Sequence, residues 1–356
     1  MNSNAKFTLS KSIVLKQYGI ANELADYVSY SSKTNPLVTK ILEEKTSSFF
    51  SVHLVNELKN IKDKTRVIFL AQAWNNSLIE SLISQGITWF VVDNEVDLDM
   101  LLNYLKRDNS ILSEGKKINL LLRMKLRENS LRTEKYFVFG MTSDIVNNRI
   151  GDLKNNPVID TVGIHFHRKT QNMSEWSLQY ELEHALNKDT LDSISVINIG
   201  GGLPSIYANT NQRVFDGIFK KIMGLKTWLN SNKIKLMVEP GRFIAAPAGK
   251  LHTTILAIHE NNIIVNASVY NSNLDALIVG VKLLVLGELV GTQQKLGKAY
   301  VVKGITPCSM DLFRYRVYFK DEDVLVGKEL VFLNAGAYNF TTEFCNLEKL
   351  ETEVIE

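Results

Sequence analysis

Ser195-Val196-Ile197-Asn198-Ile199-Gly200-Gly201-Gly202 is a short run of large apolar residues that ends abruptly in three glycines. The run is short for a helix and rich in β-branched residues, so it suits a strand buried on both faces, as in a parallel sheet. Runs of the same texture lie on either side of it. They are Arg66 to Leu70, Thr88 to Val92, Ile118 to Leu122, Thr161 to Phe166 and Lys235 to Val238, and Tyr27 to Ser32 adds another. Polar stretches between them carry apolar residues at helical spacing, such as Leu78, Ile79, Leu82 and Ile83, or Leu98, Leu101, Leu102 and Leu105. Strand and helix alternate in this way from about Ile20 to Ala245. So many repeats predict an α/β fold, either a (β/α)8 TIM barrel or a doubly wound sheet.

Beyond Pro247 the texture changes. Thr253 to Leu256, Asn262 to Val269, Lys298 to Val302, Phe313 to Phe319 and Glu329 to Leu333 read as successive strands, with turn residues such as Asn261, Gly287 and Gly327 at the joints. This predicts a β domain of roughly 110 residues, an ordinary domain size. Lys6 to Leu15 is expected to join it as an extra strand. The expected division is therefore a barrel over 20–246 and a β-sandwich or barrel over 1–19 and 247–356.

Bulk properties narrow the function. A chain of 356 residues that is 45% hydrophobic and 22% charged can bury a full core, so wholesale disorder is excluded. Its 41 basic and 38 acidic residues leave a formal charge of +3, with no basic stripe beyond short clusters such as Lys116-Lys117, so nucleic acid is not an expected partner. Two cysteines, Cys308 and Cys345, are too few for a disulfide framework or a structural zinc site. No run approaches the ~20 apolar residues of a membrane helix, and Met1 to Lys16 lacks the apolar stretch of a signal peptide. A soluble, cytoplasmic protein without membrane contacts is expected.

Several segments carry chemistry. In Tyr30-Ser31-Ser32-Lys33-Thr34-Asn35-Pro36 a lysine ends a strand before an Asn-Pro turn, at the mouth where barrel enzymes place their reactive groups. A desolvated lysine loses its charge readily and can form an imine; the alternative is a surface lysine. Gly200, Gly201 and Gly202 free the backbone N–H groups of a turn to close on a phosphate, or form a flexible loop. Val238-Glu239-Pro240-Gly241-Arg242 offers a carboxylate for a pyridinium nitrogen and an arginine fork for a phosphate, or a structural salt bridge. In Gly163-Ile164-His165-Phe166-His167 the two histidines share one side of a strand. No third ligand for a metal is evident, so stacking of one imidazole on a flat cofactor is the better role, against a core histidine. His53, His184, His252 and His259 read as structural or surface residues. Gly304-Ile305-Thr306-Pro307-Cys308-Ser309-Met310-Asp311 places a thiol and a carboxylate in one loop, and Gly336-Ala337-Tyr338 puts a tyrosine after a glycine turn; either could be an ordinary loop.

In this order the segments resemble the fold-type III pyridoxal-phosphate decarboxylases, the ornithine, diaminopimelate and arginine decarboxylase family. Tyr30 to Pro36 is similar to the family's Tyr-Ala-Val-Lys-Ala-Asn-Pro, which makes Lys33 the Schiff-base lysine. Phe139-Gly140-Met141 resembles Phe-Gly-Ile, and Phe166-His167 its Phe-His, so that His167 and not His165 would stack on the ring. Gly200 to Gly202, Glu239 to Arg242 and Gly336 to Tyr338 match the family's Gly-Gly-Gly, Glu-Pro-Gly-Arg and Gly-Ala-Tyr. Arg123 resembles an arginine near the cofactor. The resemblance implies an alanine-racemase-like barrel followed by a β domain, with pyridoxal 5'-phosphate as cofactor and no metal. It also implies a head-to-tail homodimer with shared active sites. The phosphate would be anchored by Gly200 to Gly202, Arg242 and Tyr338. Glu239 would keep the pyridine nitrogen protonated, and Cys308, from the partner chain, would return a proton to the α-carbon.

The chain also departs from the family pattern. Pro307 stands where the family's cysteine falls unless the loop shifts by one residue, and Ser51 replaces an aspartate near the cofactor. Val279 stands where ornithine enzymes read a distal amine with an acid, and no arginine is there for a distal carboxylate. A buried ammonium without its counter-charge costs about 3–5 kcal/mol. The expected substrate is therefore not free ornithine, lysine or diaminopimelate but a conjugated amino acid, linked to a peptide, nucleotide or siderophore precursor in natural-product (antibiotic) biosynthesis. The decarboxylase domain of the microcin C maturation protein is one similar case. The rival readings are an amino-acid racemase of the same fold, a free-diamine decarboxylase and a non-catalytic binding relative. The retention of Lys33, Glu239, Arg242 and Tyr338 weighs against the last. No carboxylate pair or Ser-His arrangement supports a metal-free hydrolase.

Overall fold

A computed structural model of the chain describes residues 4–107, 117–126, 139–339 and 341–356. Lys116 of the basic pair and Met1 to Ser3 lie outside the described residues, as does the side chain of Cys345. The described residues form two compact units, one within 18–203 and 213–241 and the other within 1–17, 204–212 and 242–356.

In the first unit eight parallel strands close into a barrel. With β1 (Lys6–Ser10) assigned to the other unit, the ring consists of β2 (Tyr27–Ser31), β3 (Phe49–Val52), β4 (Val67–Ala71), β5 (Trp89–Val92), β6 (Ile118–Arg123), β7 (Ile159–His165), β8 (Val196–Asn198) and β9 (Lys235–Val238). The ring closes where Tyr27 and Val28 pair with Met237 and Val238, which decides between the barrel and the open doubly wound sheet. Ile68, Val91, Leu121, Val196 and Met237 pack together although their strands are not all neighbours. They can meet only inside the ring, so the apolar strand runs reflect burial on an inner and an outer face. Helices cover the outside: Asn76–Ser84 buries Ile79 and Leu82, and Glu95–Arg107 buries Leu98, Leu101 and Leu105.

In the second unit strands run in the order β12 (Leu284–Val285), β15 (Glu329–Leu333), β10 (Gly249–His259), β11 (Asn262–Val265), β13 (Lys298–Lys303) and β14 (Leu312–Phe319). β1 pairs antiparallel with β10 and parallel with β16 (Glu351–Ile355). The extra strand expected over Lys6 to Leu15 is thus a strand only to Ser10. Lys11 opens a helix that runs to Leu24, and the Ser10 hydroxyl accepts from the Ile13 N–H (3.3 Å), the kind of bond that starts a helix. The strand expected from Asn262 to Val269 likewise stops at Val265. Ser268 and Asn271 cap each other's backbone and begin the helical turns Val269–Ser272 and Leu274–Ile278.

Barrel closure demands close strand approach at one position in particular. A Cβ on Gly163 of β7 would lie 2.4 Å from the Val196 carbonyl oxygen of β8. Gly163→Ala is expected to lower the unfolding free energy by about 1–3 kcal/mol, the usual cost of overpacking, as measured by urea titration.

Candidate active site

The sequence places its polar residues at the C-terminal ends of the barrel strands. Ser51 lies on β3, Arg123 ends β6, His165 ends β7, Asn198 ends β8 and Glu239 follows β9 directly. Lys33 sits in a single helical turn after β2, and Asn35 then caps the next helix, Pro36–Lys45, by accepting from the Leu37 N–H (3.0 Å). The Asn-Pro pair thus starts a helix, with proline in its favoured first position. The turn is pinned from the other side of the ring seam: a Cβ on Gly241 would lie 2.2 Å from the Thr34 hydroxyl.

Glu239 is the buried charge at the centre of this mouth. Its Oε1 accepts from the Ser51 hydroxyl (2.7 Å) and from Asn198 Nδ2 (2.9 Å), and its Oε2 lies 3.3 Å from His165 Nε2. Ser29 on β2 in turn lies 2.7 Å from Ser51, oxygen to oxygen. Burial opposes ionisation of Glu239, but His165, His53 and the Ser51 hydroxyl outweigh it and hold the carboxyl well below its usual range.

His167 lies beside the glycine turn, with its ring carbon Cε1 3.6 Å from where a Cβ on Gly201 would be. Burial, aided by the His165, Arg123 and Lys33 charges and opposed by Glu239, pushes it down to about 4. The same balance, led by burial and then by the Lys33 ammonium, pushes His53 down to about 3. Lys33, itself exposed, therefore faces the same mouth as Glu239, His53, His165 and His167. Gly200 and Gly202 have φ of +68° and +101°, and a Cβ on Gly200 would meet the Phe166 carbonyl oxygen at 2.5 Å. The turn thus needs glycine for its packing as well as for access to its backbone. Arg123 donates to Asp93 (3.1 Å), which also accepts from the Gly140 N–H (3.1 Å), and its guanidinium lies over the Phe139 ring.

The second unit holds the remaining expected residues in two clusters. Arg242 was expected to fork a phosphate; its terminal nitrogens instead fork Asp275, through Nη1 to Oδ2 and Nη2 to Oδ1 (3.0 Å), and Nη1 also donates to the Tyr207 hydroxyl (3.0 Å). Its Nε is buried without a partner, and its guanidinium lies 5.2 Å from the centre of the Tyr338 ring. Tyr338 takes a φ of +56°, unusual for a bulky residue. In the other cluster Cys308 is exposed with its Sγ 2.9 Å from the Tyr270 hydroxyl, a contact that lowers the thiol's proton affinity. Buried Asp311 shapes this loop by accepting from the backbone N–H groups of Val269 (2.8 Å) and Thr306 (3.0 Å) and from the Thr306 hydroxyl (2.7 Å).

A closed parallel barrel with a lysine, a buried ionised carboxylate, a histidine and a glycine turn at its C-terminal mouth defines the pyridoxal-binding barrels. The residues fit pyridoxal 5'-phosphate on the chemistry of the Glu239 site: three donors leave one of the carboxylate's four lone pairs open, a place for one ring N–H. Comparison with known proteins agrees. The sequence profile described as "Pyridoxal-dependent decarboxylase, pyridoxal binding domain" matches residues 11–246, well over half of the chain. The chain belongs to the pyridoxal-dependent decarboxylase family. It is 26% identical over 212 residues to the 2-[(L-alanin-3-ylcarbamoyl)methyl]-2-hydroxybutanedioate decarboxylase of Staphylococcus aureus, covering 56% of this chain and 51% of that one. It is 21% identical over 277 residues to the diaminopimelate decarboxylase of Campylobacter jejuni, covering 72% and 66%. The matches thus span about half to two thirds of these curated relatives. Among solved structures, the Helicobacter pylori diaminopimelate decarboxylase superposes with a TM-score of 0.80 at 18% identity, covering 99% of this chain and 92% of that one. The Vibrio vulnificus lysine/ornithine decarboxylase does so with 0.78 at 19%, covering 99% and 94%. At such identity these two speak for the fold.

The barrel unit therefore brings together Lys33, Arg123, His167, Gly200 to Gly202 and Glu239. Sequence reasoning placed His53 among structural histidines and rejected His165 for stacking without giving it another role. Period-two alternation over Ser51, Val52 and His53 was the available signal for His53, since it puts that side chain on the same side as Ser51. Asn198, Tyr207, Tyr270 and Asp275 carried no motif of their own.

Two expectations follow from these contacts. Asp275→Ala strands a buried arginine and should cost about 3–5 kcal/mol of stability in a denaturant titration. His53 and His167 stay neutral in the fold where the unfolded chain already binds protons. Their contribution is full above the ordinary histidine pKa of about 6.5 and is lost as the pH falls towards about 4 and 3. Thermal melts should therefore show stability falling across that window, with a shallower fall in His53→Phe.

Proposed function

We propose that the protein releases the α-carboxyl group of an amino acid as carbon dioxide, using pyridoxal 5'-phosphate, and that this amino acid carries a bulky conjugate in place of a free distal amine. The observation that supports the substrate reading is Asp275. It is the only acidic residue from Tyr270 to Val279, the segment that would read a distal amine, and its carboxylate is spent on Arg242. Leu277, Ile278 and Val279 beside it are exposed and apolar. A free diamine would find no counter-charge there, whereas an uncharged linkage needs none. The Staphylococcus aureus relative, named for an alanine joined through a carbamoylmethyl group to hydroxybutanedioate, is in line with such a substrate. We place the reaction in natural-product assembly in the cytoplasm.

When bound, pyridoxal phosphate supplies an electron sink for the pair left at the α-carbon. Residues of this chain do the rest. Lys33 is the amine that would hold the cofactor covalently, and its place between the mouth and solvent lets a substrate amine replace it. Glu239, ionised and fixed by three donors, keeps a ring nitrogen protonated. His167, neutral and beside the glycine turn, packs against a flat ring. Gly200 to Gly202 offer backbone N–H groups to a phosphate, and Arg242, Tyr338 and Arg123 are its further proposed anchors, with Asp275 sharing Arg242. Cys308 holds the proton that returns to the α-carbon, and Tyr270 tunes that thiol. We assign Cys308 to the site of a second copy, in a homodimer with shared sites; the barrel of 20–246 would hold the cofactor and the β domain of 1–19 and 247–356 would supply this loop.

The test is carbon dioxide release by the full chain with pyridoxal phosphate. The substrates compared are free ornithine, lysine and diaminopimelate and an amide conjugate of 3-aminoalanine with a polycarboxylate. Release from the conjugate alone supports the reading; release from the free diamines overturns the substrate assignment. Loss of optical rotation without mass change would make the protein a racemase. Lys33→Ala should abolish both turnover and the visible absorbance band of the loaded protein, and Cys308→Ala should lower kcat about 10²–10⁴-fold, the usual worth of a positioned proton donor.

A further inference from the structure

We propose that His165 is a positioning residue for this reaction: its Nε2–H fixes the orientation of the Glu239 carboxylate and leaves Oε2 one open acceptor position for the cofactor's ring nitrogen. The inference rests on the proposed function for its purpose but not for its geometry.

His165 is 1% exposed, at the end of β7, and its Nε2 lies 3.3 Å from Glu239 Oε2. Its Nδ1 is buried with no hydrogen-bond partner. That decides the tautomer. A proton on Nδ1 would be a buried donor with nothing to bond, and would turn the Nε2 lone pair against a carboxylate lone pair. With the proton on Nε2, the ring donates to Glu239 and only a bare acceptor at Nδ1 is left unpaired, the cheaper of the two defects. The imidazole thus donates to Glu239 in one fixed direction.

Glu239 is then filled from three strands: Ser51 of β3 and Asn198 of β8 on Oε1, and His165 of β7 on Oε2. Besides His165, the Glu239 carboxylate feels His53, and His53 and His167 in turn both feel the Lys33 and Arg123 charges. Where the resembling family carries an aspartate, this chain has Ser51, which donates to Glu239 instead of repelling it. His165 completes a set of three donors around a single carboxylate. Without it, Oε2 has no hydrogen-bond partner among the described residues and can turn or take up a proton.

The experiment follows the carboxyl carbon of Glu239 by 13C NMR as pH is lowered, in the full chain without cofactor, in the wild type, His165→Leu and His165→Gln. The glutamine keeps an N–H donor. The loss of a hydrogen bond to a charged group predicts that the Glu239 midpoint rises by about 1–2 pH units in His165→Leu and stays near wild type in His165→Gln. The loaded proteins should show a parallel shift in the pH dependence of the visible band. If His165→Leu does not fold, His165→Phe removes the donor at similar volume. An unmoved midpoint in a folded leucine or phenylalanine variant overturns the proposal, as does an equal shift in leucine and glutamine variants. Because the NMR titration needs no substrate, a moved midpoint in a protein that releases no carbon dioxide would sink the proposed function and keep the pairing; the converse result would do the reverse.

Discussion

A carboxylate buried at the mouth of a barrel must be met by donors, because an unpaired buried charge costs several kcal/mol. Glu239 is such a group, and its donors arrive from strands that are far apart in sequence: Ser51 on β3, His165 on β7 and Asn198 on β8. Only closure of the ring brings them to one point. Barrel and site therefore support each other. The apolar interior formed by Ile68, Val91, Leu121, Val196 and Met237 holds the strands in register, and the register delivers the three donors.

The second unit solves the same problem with opposite sign. Arg242 is a buried cation paired with Asp275 and Tyr207, and the buried Asp311 carboxylate accepts from the Val269 backbone and from the backbone and hydroxyl of Thr306. The Asp311 loop is held by these donors and leaves Cys308 exposed beside the Tyr270 hydroxyl rather than packed in the core.

Seven of the eight barrel strands were legible as apolar runs. β3 was not: Phe49-Phe50-Ser51-Val52 is four residues flanked by Ser47-Ser48 and His53, too short and too polar to stand out, yet it carries the serine that meets Glu239. The same blindness hid His53, whose role depends on β3 being a strand. Nearer the N-terminus, Lys6 to Leu15 read as one extended run because Ile13, Val14 and Leu15 favour strands locally. The cap made by Ser10 and the packing of the helix that follows override that preference.

What the sequence determined by itself was the alternation of buried strands and amphipathic helices, the β-rich second half, and the identity and order of Lys33, His167, Gly200 to Gly202, Glu239 and Arg242. These follow from periodicity and residue chemistry, which are local. Tertiary structure alone decided that the ring closes, that Arg242 is paired with Asp275, that His165 and not only His167 belongs to the site, and that Glu239 is ionised. Each depends on contacts across dozens or hundreds of residues, between groups such as Asp275, Asn198 and Tyr270 that belong to no motif. Their partners are chosen by the register and packing of elements, and no local pattern encodes that choice.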